Sequence, residues 1–445
     1  MQDDLALLGG PALFRFSDFP PDRVALSEQS VEAGVRALRS GAWSMFTSPE
    51  VSAFEEELGK FIGARHVVLV NSCTTAILAS LMAADVRAGD YVAIPAYTYI
   101  GTCMPILALG ARPVLVDIDL ETQSMSVEAL RKVMTTYPVR SVIHVNLFGL
   151  CAGASEIADL CRAHGASYVS DSAQFLGDHA TTSRLAGEGA ICFSFGESKI
   201  LRLGEGGAVA TNSTELAERM RLARHEGELW TRLNSSRLGG ARPTPRDVIS
   251  HLASTRQGLN FRPLSIAAAL GRAMLKELRG HLDLCAANAS ALSAGLGGIP
   301  GIQLPHGQQR TWWTYPVRIE AHCIDRDLAL AALLAEGVPA GVHFPRLLIE
   351  HPIVKESGAL EPYETHQARE FACTHLVLPI YPRLRAGHMQ SFCLALKKVL
   401  RNVEMLRSSE GRAQAERLLT MRPVQELCDG LFLFMAEAGE EDQRK

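Results

Sequence analysis

The chain has 445 residues, of which 47 % are hydrophobic and 21 % charged, and its formal net charge is -4 at pH 7. That length exceeds what one hydrophobic core usually supports, so a large domain and a smaller one are expected, and the near-neutral balance speaks against a nucleic-acid partner. Ten cysteines scattered without a C-x-x-C pair suggest neither a zinc ribbon nor a disulfide framework, and no metal site is expected.

The N-terminus, MQDDLALLGGPALFRF, is acidic and lacks a cationic n-region, so no signal peptide is expected. No run reaches the eighteen or so apolar residues of a membrane span, and a cytoplasmic location follows as the expectation. From His66 to about Thr211, short β-branched runs alternate with helical patterns. HVVLV, YVAIP, PVLVD, SVIHV, SYVSD, AICFSF and AVAT read as strands; EVSAFEEELGKF, TTAILASLMAA, VEALRKVM and EIADLCRAHG repeat apolar residues at helical intervals. This rhythm predicts a mostly parallel, buried sheet whose ligands lie beyond the carboxyl ends of its strands.

Residues 229–257 mix Gly, Pro, Arg and Ser with weak periodicity, as expected of an exposed loop, a lid or a dimer arm. A helix-rich stretch from Pro263 to about Leu296 leads into a second α/β pattern, with strands TYPVRI and HLVLPIY and helices DLALAALLAEG and MQSFCLALKKVL. The expected division is 1–257 for the N-terminal segment and large domain, 258–401 for interdomain helices and a small domain, and 402–445 for an extension. That extension ends in EAGEEDQRK, which should fray.

Several strand ends carry residues suited to chemistry. Lys199 lies in FSFGESKILRLGEGG, where glycines at 204, 206 and 207 allow a ligand to approach the backbone; its bland alternative is a solvated surface charge. Asp171 ends SYVSD and is either a helix-capping carboxylate or an acid that pairs with a ring nitrogen. In VLVNSCTTAI a helix start after a strand suits an anion such as phosphate, or plain capping by Ser72 or Thr74. Tyr99 in PAYTYIGT stacks on a ring or fills the core.

Together these segments resemble the DegT/DnrJ/StrS family of pyridoxal-phosphate (PLP) aminotransferases. NSCTTAI stands for the family's SGTxAL, PAYTYIGT for PxxTFxAT, GARPVLVDID for GAxPVFVDID, SDSAQFLG for EDxAQAxGA, SFGESKILRLGEGG for SFxxxKxLxxGEGG and GLNFRPLSIAAALG for GxNxRMxxxxAAxG. The resemblance runs from GGPALF to about Arg401. It implies fold type I: a large α/β/α domain with a mostly parallel seven-stranded sheet and a smaller C-terminal α/β domain. It further implies that Lys199 holds the cofactor as a Schiff base and that Asp171 pairs with the ring nitrogen. Gln174 would bind the phenolic oxygen, Tyr99 would stack on the ring, and Thr74, the backbone of Cys73 and Ser194 would bind the phosphate. Asn260 would reach the phosphate of a neighbouring subunit, making a homodimer the active unit. Arg262 is a candidate for a substrate anion, or else a structural salt bridge.

The implied activity moves an amino group from glutamate or glutamine to a keto sugar, cyclitol ketone or related cyclic carbonyl, in amino-sugar, antibiotic or other secondary-metabolite biosynthesis, with pyridoxamine phosphate as the intermediate cofactor form. The alternatives are a PLP lyase or dehydratase on a similar substrate and a non-catalytic PLP-binding regulator. His343, Phe344, Trp312, Trp313 and Tyr315 are candidate pocket residues, with small-domain packing the expected role of the two tryptophans. Three positions depart from the family pattern: Cys73 for glycine, Asn146 for histidine in VHxxG, and Ser126 for aspartate.

Overall fold

The computed structural model describes residues 4–20, 26–228, 253–305 and 311–421, together with Thr244 and Arg246. Most of the expected 229–257 loop and the acidic end EAGEEDQRK lie outside the described residues. Seven strands form the main sheet: β1 (His66–Val70), β2 (Tyr91–Pro95), β3 (Arg112–Val116), β4 (Val139–Val145), β5 (Ser167–Asp171), β6 (Ala190–Ser194) and β7 (Gly207–Thr211). Their order is β1-β7-β6-β5-β4-β2-β3. The strands are almost wholly buried, as expected of Val- and Ile-rich runs covered by helices on both faces.

Only β7 runs against its neighbours; the others are parallel. The carboxyl ends of β1, β2, β4, β5 and β6 therefore meet the start of β7 along one edge of the sheet. The helix Cys73–Ala83 packs beneath this edge with small buried residues (Ala76, Ala79, Ser80, Ala83) that let it lie close to the sheet.

The second sheet has the order β10-β9-β8, antiparallel throughout, from β8 (Ile302–Gln303), β9 (Tyr315–Ile319) and β10 (His375–Leu378). Its core joins Tyr315, Val317, Leu333, Phe392 and Leu396 to Leu5, Leu7 and Phe19. The N-terminal segment, grouped with the large domain by sequence order, thus packs with the small domain. The extension joins this core too: Leu406, Ala415 and Leu418 are buried there, the last two on the helix Ser409–Met421.

A buried ion pair secures that N-terminal segment. Glu336, fully buried, bonds Lys398 Nζ at 2.9 Å and accepts the backbone N–H groups of Ala6 and Leu13 at 2.9 and 3.1 Å. Its carbonyl accepts Phe14 N–H as well. Glu336→Ala leaves the Lys398 ammonium and two amides without this acceptor, so it should cost about 3–5 kcal/mol. Urea unfolding of the full chain measures the loss; a change within ~0.5 kcal/mol, the usual range for surface substitutions, would contradict the assigned role.

Candidate active site

Ser72 caps the helix Cys73–Ala83, its hydroxyl accepting Thr75 N–H at 3.1 Å while Thr75 Oγ1 accepts Ser72 N–H. The first-turn amides of Cys73 and Thr74 are left at a positive helix end, which favours an anion. Gly207 fits tightly against this turn: a Cβ there would lie 2.4 Å from the Ser72 carbonyl and 2.7 Å from Cys73 N. Ser194 pairs with Gly207 in register, so the hydroxyl-bearing end of β6 lies next to the helix start. Tyr99, at the start of the following helix, is 48 % exposed. Its ring lies over Gly101, beside Thr74, and approaches Phe344 at 5.6 Å between centroids. The structure therefore places it at the rim of this region and not in the core.

Asp171 is 6 % exposed at the end of β5. Its Oδ2 accepts Thr102 Oγ1–H at 2.8 Å, and its Oδ1 accepts Ala173 N–H at 3.1 Å and the Cys73 thiol at 3.8 Å. Burial raises the carboxyl pKa, and these donors together with Lys199 oppose the rise. Thr102 is a participant the sequence reading passed over. The signal was Thr98 and Thr102 spaced four apart in a helix start, where their hydroxyls meet at 3.1 Å.

Lys199 sits in the connection from β6 to β7, closed by Phe195 N–H to Gly206 O and Leu203 N–H to Phe195 O. The residue is partly exposed overall, but its amine is packed deeply, and burial pulls the pKa down to about 8 against the pull of Asp171. Gln174 and Ser194 line the same small cavity as Lys199, with Ser172, Thr311 and Trp313. Gln174 is fixed by its Oε1, which accepts Phe148 N–H at 2.6 Å.

The small domain supplies the facing wall. Trp313, expected to be packing, lies instead under Lys199, whose Nζ is 4.3 Å from the ring centroid. Its ring stacks on His343 at 4.8 Å, and burial holds that imidazole down to about 3. Strand alternation pairs residue 313 with 315, but the chain bends at residues 313 and 314 before β9 begins. Trp312 does pack, stacked on Tyr315.

Tyr315 is corrected as a pocket candidate: it is fully buried in the small-domain core with its hydroxyl on Ser293 Oγ at 2.8 Å. Arg262 is paired with Glu226 at 3.0 Å and hydrogen-bonded to His225, the structural salt bridge that was its alternative reading. Asn260 is exposed, in a bridge with His225. The departures have local answers. Cys73 opens a regular helix and needs no glycine conformation; Ser126 caps the helix Val127–Thr136 by accepting Ala129 N–H. Asn146 is fully buried and donates to Ser170 and Ser172.

The sequence pattern of the DegT/DnrJ/EryC1/StrS aminotransferase family matches residues 25–397. The UDP-2-acetamido-2-deoxy-3-oxo-D-glucuronate aminotransferase of Pseudomonas aeruginosa is 29 % identical over 86 % of this chain and 99 % of its own. The dTDP-3-amino-3,4,6-trideoxy-alpha-D-glucose transaminase of Streptomyces venezuelae is 31 % identical over 83 % and 91 %. The solved structure of DesI in the presence of its TDP-sugar product superposes with a TM-score of 0.75 at 25 % identity, covering 91 % of this chain and 98 % of that one.

The tight seat of Gly207 is testable. Gly207→Ala forces a methyl group into the Ser72–Cys73 backbone, which should cost about 1–3 kcal/mol of stability. It should also weaken anion binding at the helix start, measured by the rise in melting temperature that inorganic phosphate confers on each protein.

Proposed function

Because the chain belongs to the DegT/DnrJ/EryC1/StrS aminotransferase family, we propose that it moves an amino group from glutamate or glutamine to a cyclic carbonyl: a keto sugar, a cyclitol ketone or a related ring compound. It is a PLP-dependent aminotransferase with the fold of its solved relatives. The observation that carries the reading is the buried carboxylate of Asp171 at the end of β5 and the amine of Lys199 just beyond the end of the adjacent β6, beside a helix start fitted for an anion.

These residues fit the cofactor. The cradle that a Cβ at Gly207 would fill suits a phosphate group against the amides of Cys73 and Thr74, with Ser194 at its side. Asp171 would pair with the ring nitrogen, Gln174 would meet the ring oxygen, Tyr99 would lie on the ring face, and Lys199 would hold the aldehyde. When bound, PLP supplies the electron sink that makes a proton next to an amino group removable.

The chain's own part is to hold and move protons. Lys199 Nζ, with its pKa brought down to about 8, takes up a proton from the donor's α-carbon and returns it nearby, as a positioned base near working pH does efficiently. A carboxyl group whose pKa burial has raised gains most from a neighbouring positive charge. Thr102 and Ala173 keep Asp171 aimed, so that it would hold the ring nitrogen of a bound PLP protonated. Trp313, with His343 stacked behind it, covers the amine on the small-domain side, and less water there strengthens each of these interactions.

A second copy of the chain is the partner this reading requires. Asn260 is exposed between Leu259 and Leu264, 51 % and 64 % exposed, near Trp43, 53 % exposed, whose carbonyl accepts Ser265 N–H. Exposed apolar side chains on either side of a polar one suit burial against a second subunit.

Borohydride reduction of the PLP-loaded protein, followed by peptide mapping, should put the label on Lys199. Lys199→Ala should lose it and lower kcat by about 10²–10⁴. A label on another residue refutes the assignment. Attachment of PLP needs the neutral amine, and the fraction of neutral amine grows as pH rises through about 8. The rate of cofactor loading, followed by absorbance, should therefore climb through that pH and flatten above it. Glutamate and glutamine should convert the loaded protein to its amine form, and a panel of keto sugars and cyclitol ketones should restore it.

A further inference from the structure

We propose that Trp313 is a positioning residue for Lys199: its indole face holds the protonated ε-amine whenever the lysine is free of the cofactor. The inference rests on the reading that Lys199 is the cofactor lysine.

Two contacts on the ring and two on its neighbours fix it where the amine needs it. The indole N–H donates to the carbonyl of Ser198, the residue before the lysine, at 2.7 Å. Its ring stacks on His343 with planes 26° apart. The backbone around it is tied down on both sides: Thr311 N–H donates to Gly149 O at 2.8 Å, and Thr314 Oγ1 donates to Leu378 O at 3.2 Å. A tryptophan serving only the small-domain core would not donate to the lysine loop; Trp312 shows that alternative, stacked on Tyr315.

The charges around the amine make the ring matter. From β5 comes Asp171, from the helix start Cys73, and from the small-domain loop His343. The lysine's own loop contributes Arg202, whose Nε–H donates to Lys199 O at 3.0 Å. Burial keeps the Cys73 thiol protonated and the His343 ring neutral. Asp171 is thus the anion facing the amine among the described residues, and it is the group reserved for the ring nitrogen. A desolvated ammonium over an indole face gains a second source of stabilisation that survives when the carboxylate is engaged. In a base that must accept a proton and return it, this keeps the protonated amine within reach.

The test reads the amine directly. The full chain without cofactor is treated with acetic anhydride across a pH series, and acetylation of Lys199 is quantified by peptide mass spectrometry in wild type, Trp313→Phe and Trp313→Leu. Phenylalanine keeps a π face and should leave the midpoint within ~0.3 unit, whereas leucine should lower it by about one unit. In the loaded enzyme, Trp313→Leu should reduce kcat about tenfold while the KM for the amino donor stays within about twofold, as for a group acting on proton transfer. An unchanged midpoint in a folded Trp313→Leu protein, or equal shifts in both variants, overturns the proposal. Should borohydride label a different amine, the functional reading fails while the acetylation result still reports on Trp313 and Lys199.

Discussion

Burying a carboxylate and an amine on one strand edge strips both of hydration, a cost that each repays in part to the other and that hydrogen-bond donors must cover for the rest. The surroundings of Asp171 and Lys199 follow from this constraint. Asp171 receives Thr102, Ala173 and the Cys73 thiol on its two oxygens, enough to satisfy a carboxylate with a rising pKa without a full counter-charge. Lys199 is left with burial as the larger influence, and its pKa falls to about 8. An amine near neutrality beside a carboxylate still able to ionise is a division of labour that neither residue would have in water.

Placing these groups together depends on topology more than on any local motif. Because β7 alone is reversed, the turn from β6 to β7 brings both Lys199 and Gly207 back to the edge where Asp171 and the helix start already lie. The closeness is steric: only a residue without a side chain lets β7 begin against Ser72 and Cys73. The same economy appears at Gly149, with φ +79, where a Cβ would collide with the carbonyl of Thr311. Here the large domain meets the segment that carries Trp313.

Much of this was legible in the chain. All seven main strands announced themselves as buried β-branched runs, because a sheet covered on both faces needs nothing else of its sequence. The ends of those strands were legible for a related reason: polar residues are conspicuous after apolar runs, and Ser72, Asp171, Ser194 and Lys199 stand there. The opposite wall was not. Trp313 and Tyr315 share a parity, and a bend before β9 sends one to the lysine and the other to the core. Nor does sequence order show that Leu5, Leu7 and Phe19 belong with residues some three hundred positions later.

The buried pair in the small domain bears on the site through a short length of chain. Glu336, held by Lys398 and by the N-terminal amides, is followed by Gly337, whose φ of +83 lets it pass under Phe14. Gly341 then exchanges two backbone hydrogen bonds with Val377 of β10. Two residues later the His343 carbonyl receives Tyr97 Oη–H and His375 Nε2 while its ring stacks on Trp313. Eight residues, 336–343, fastened at both ends leave that wall little freedom, and a wall that must hold an indole against one amine has to be fixed to the body of the domain. The N-terminal segment, although far from Lys199 in sequence, therefore contributes to the site by fixing the end of the tether that the chemistry never touches.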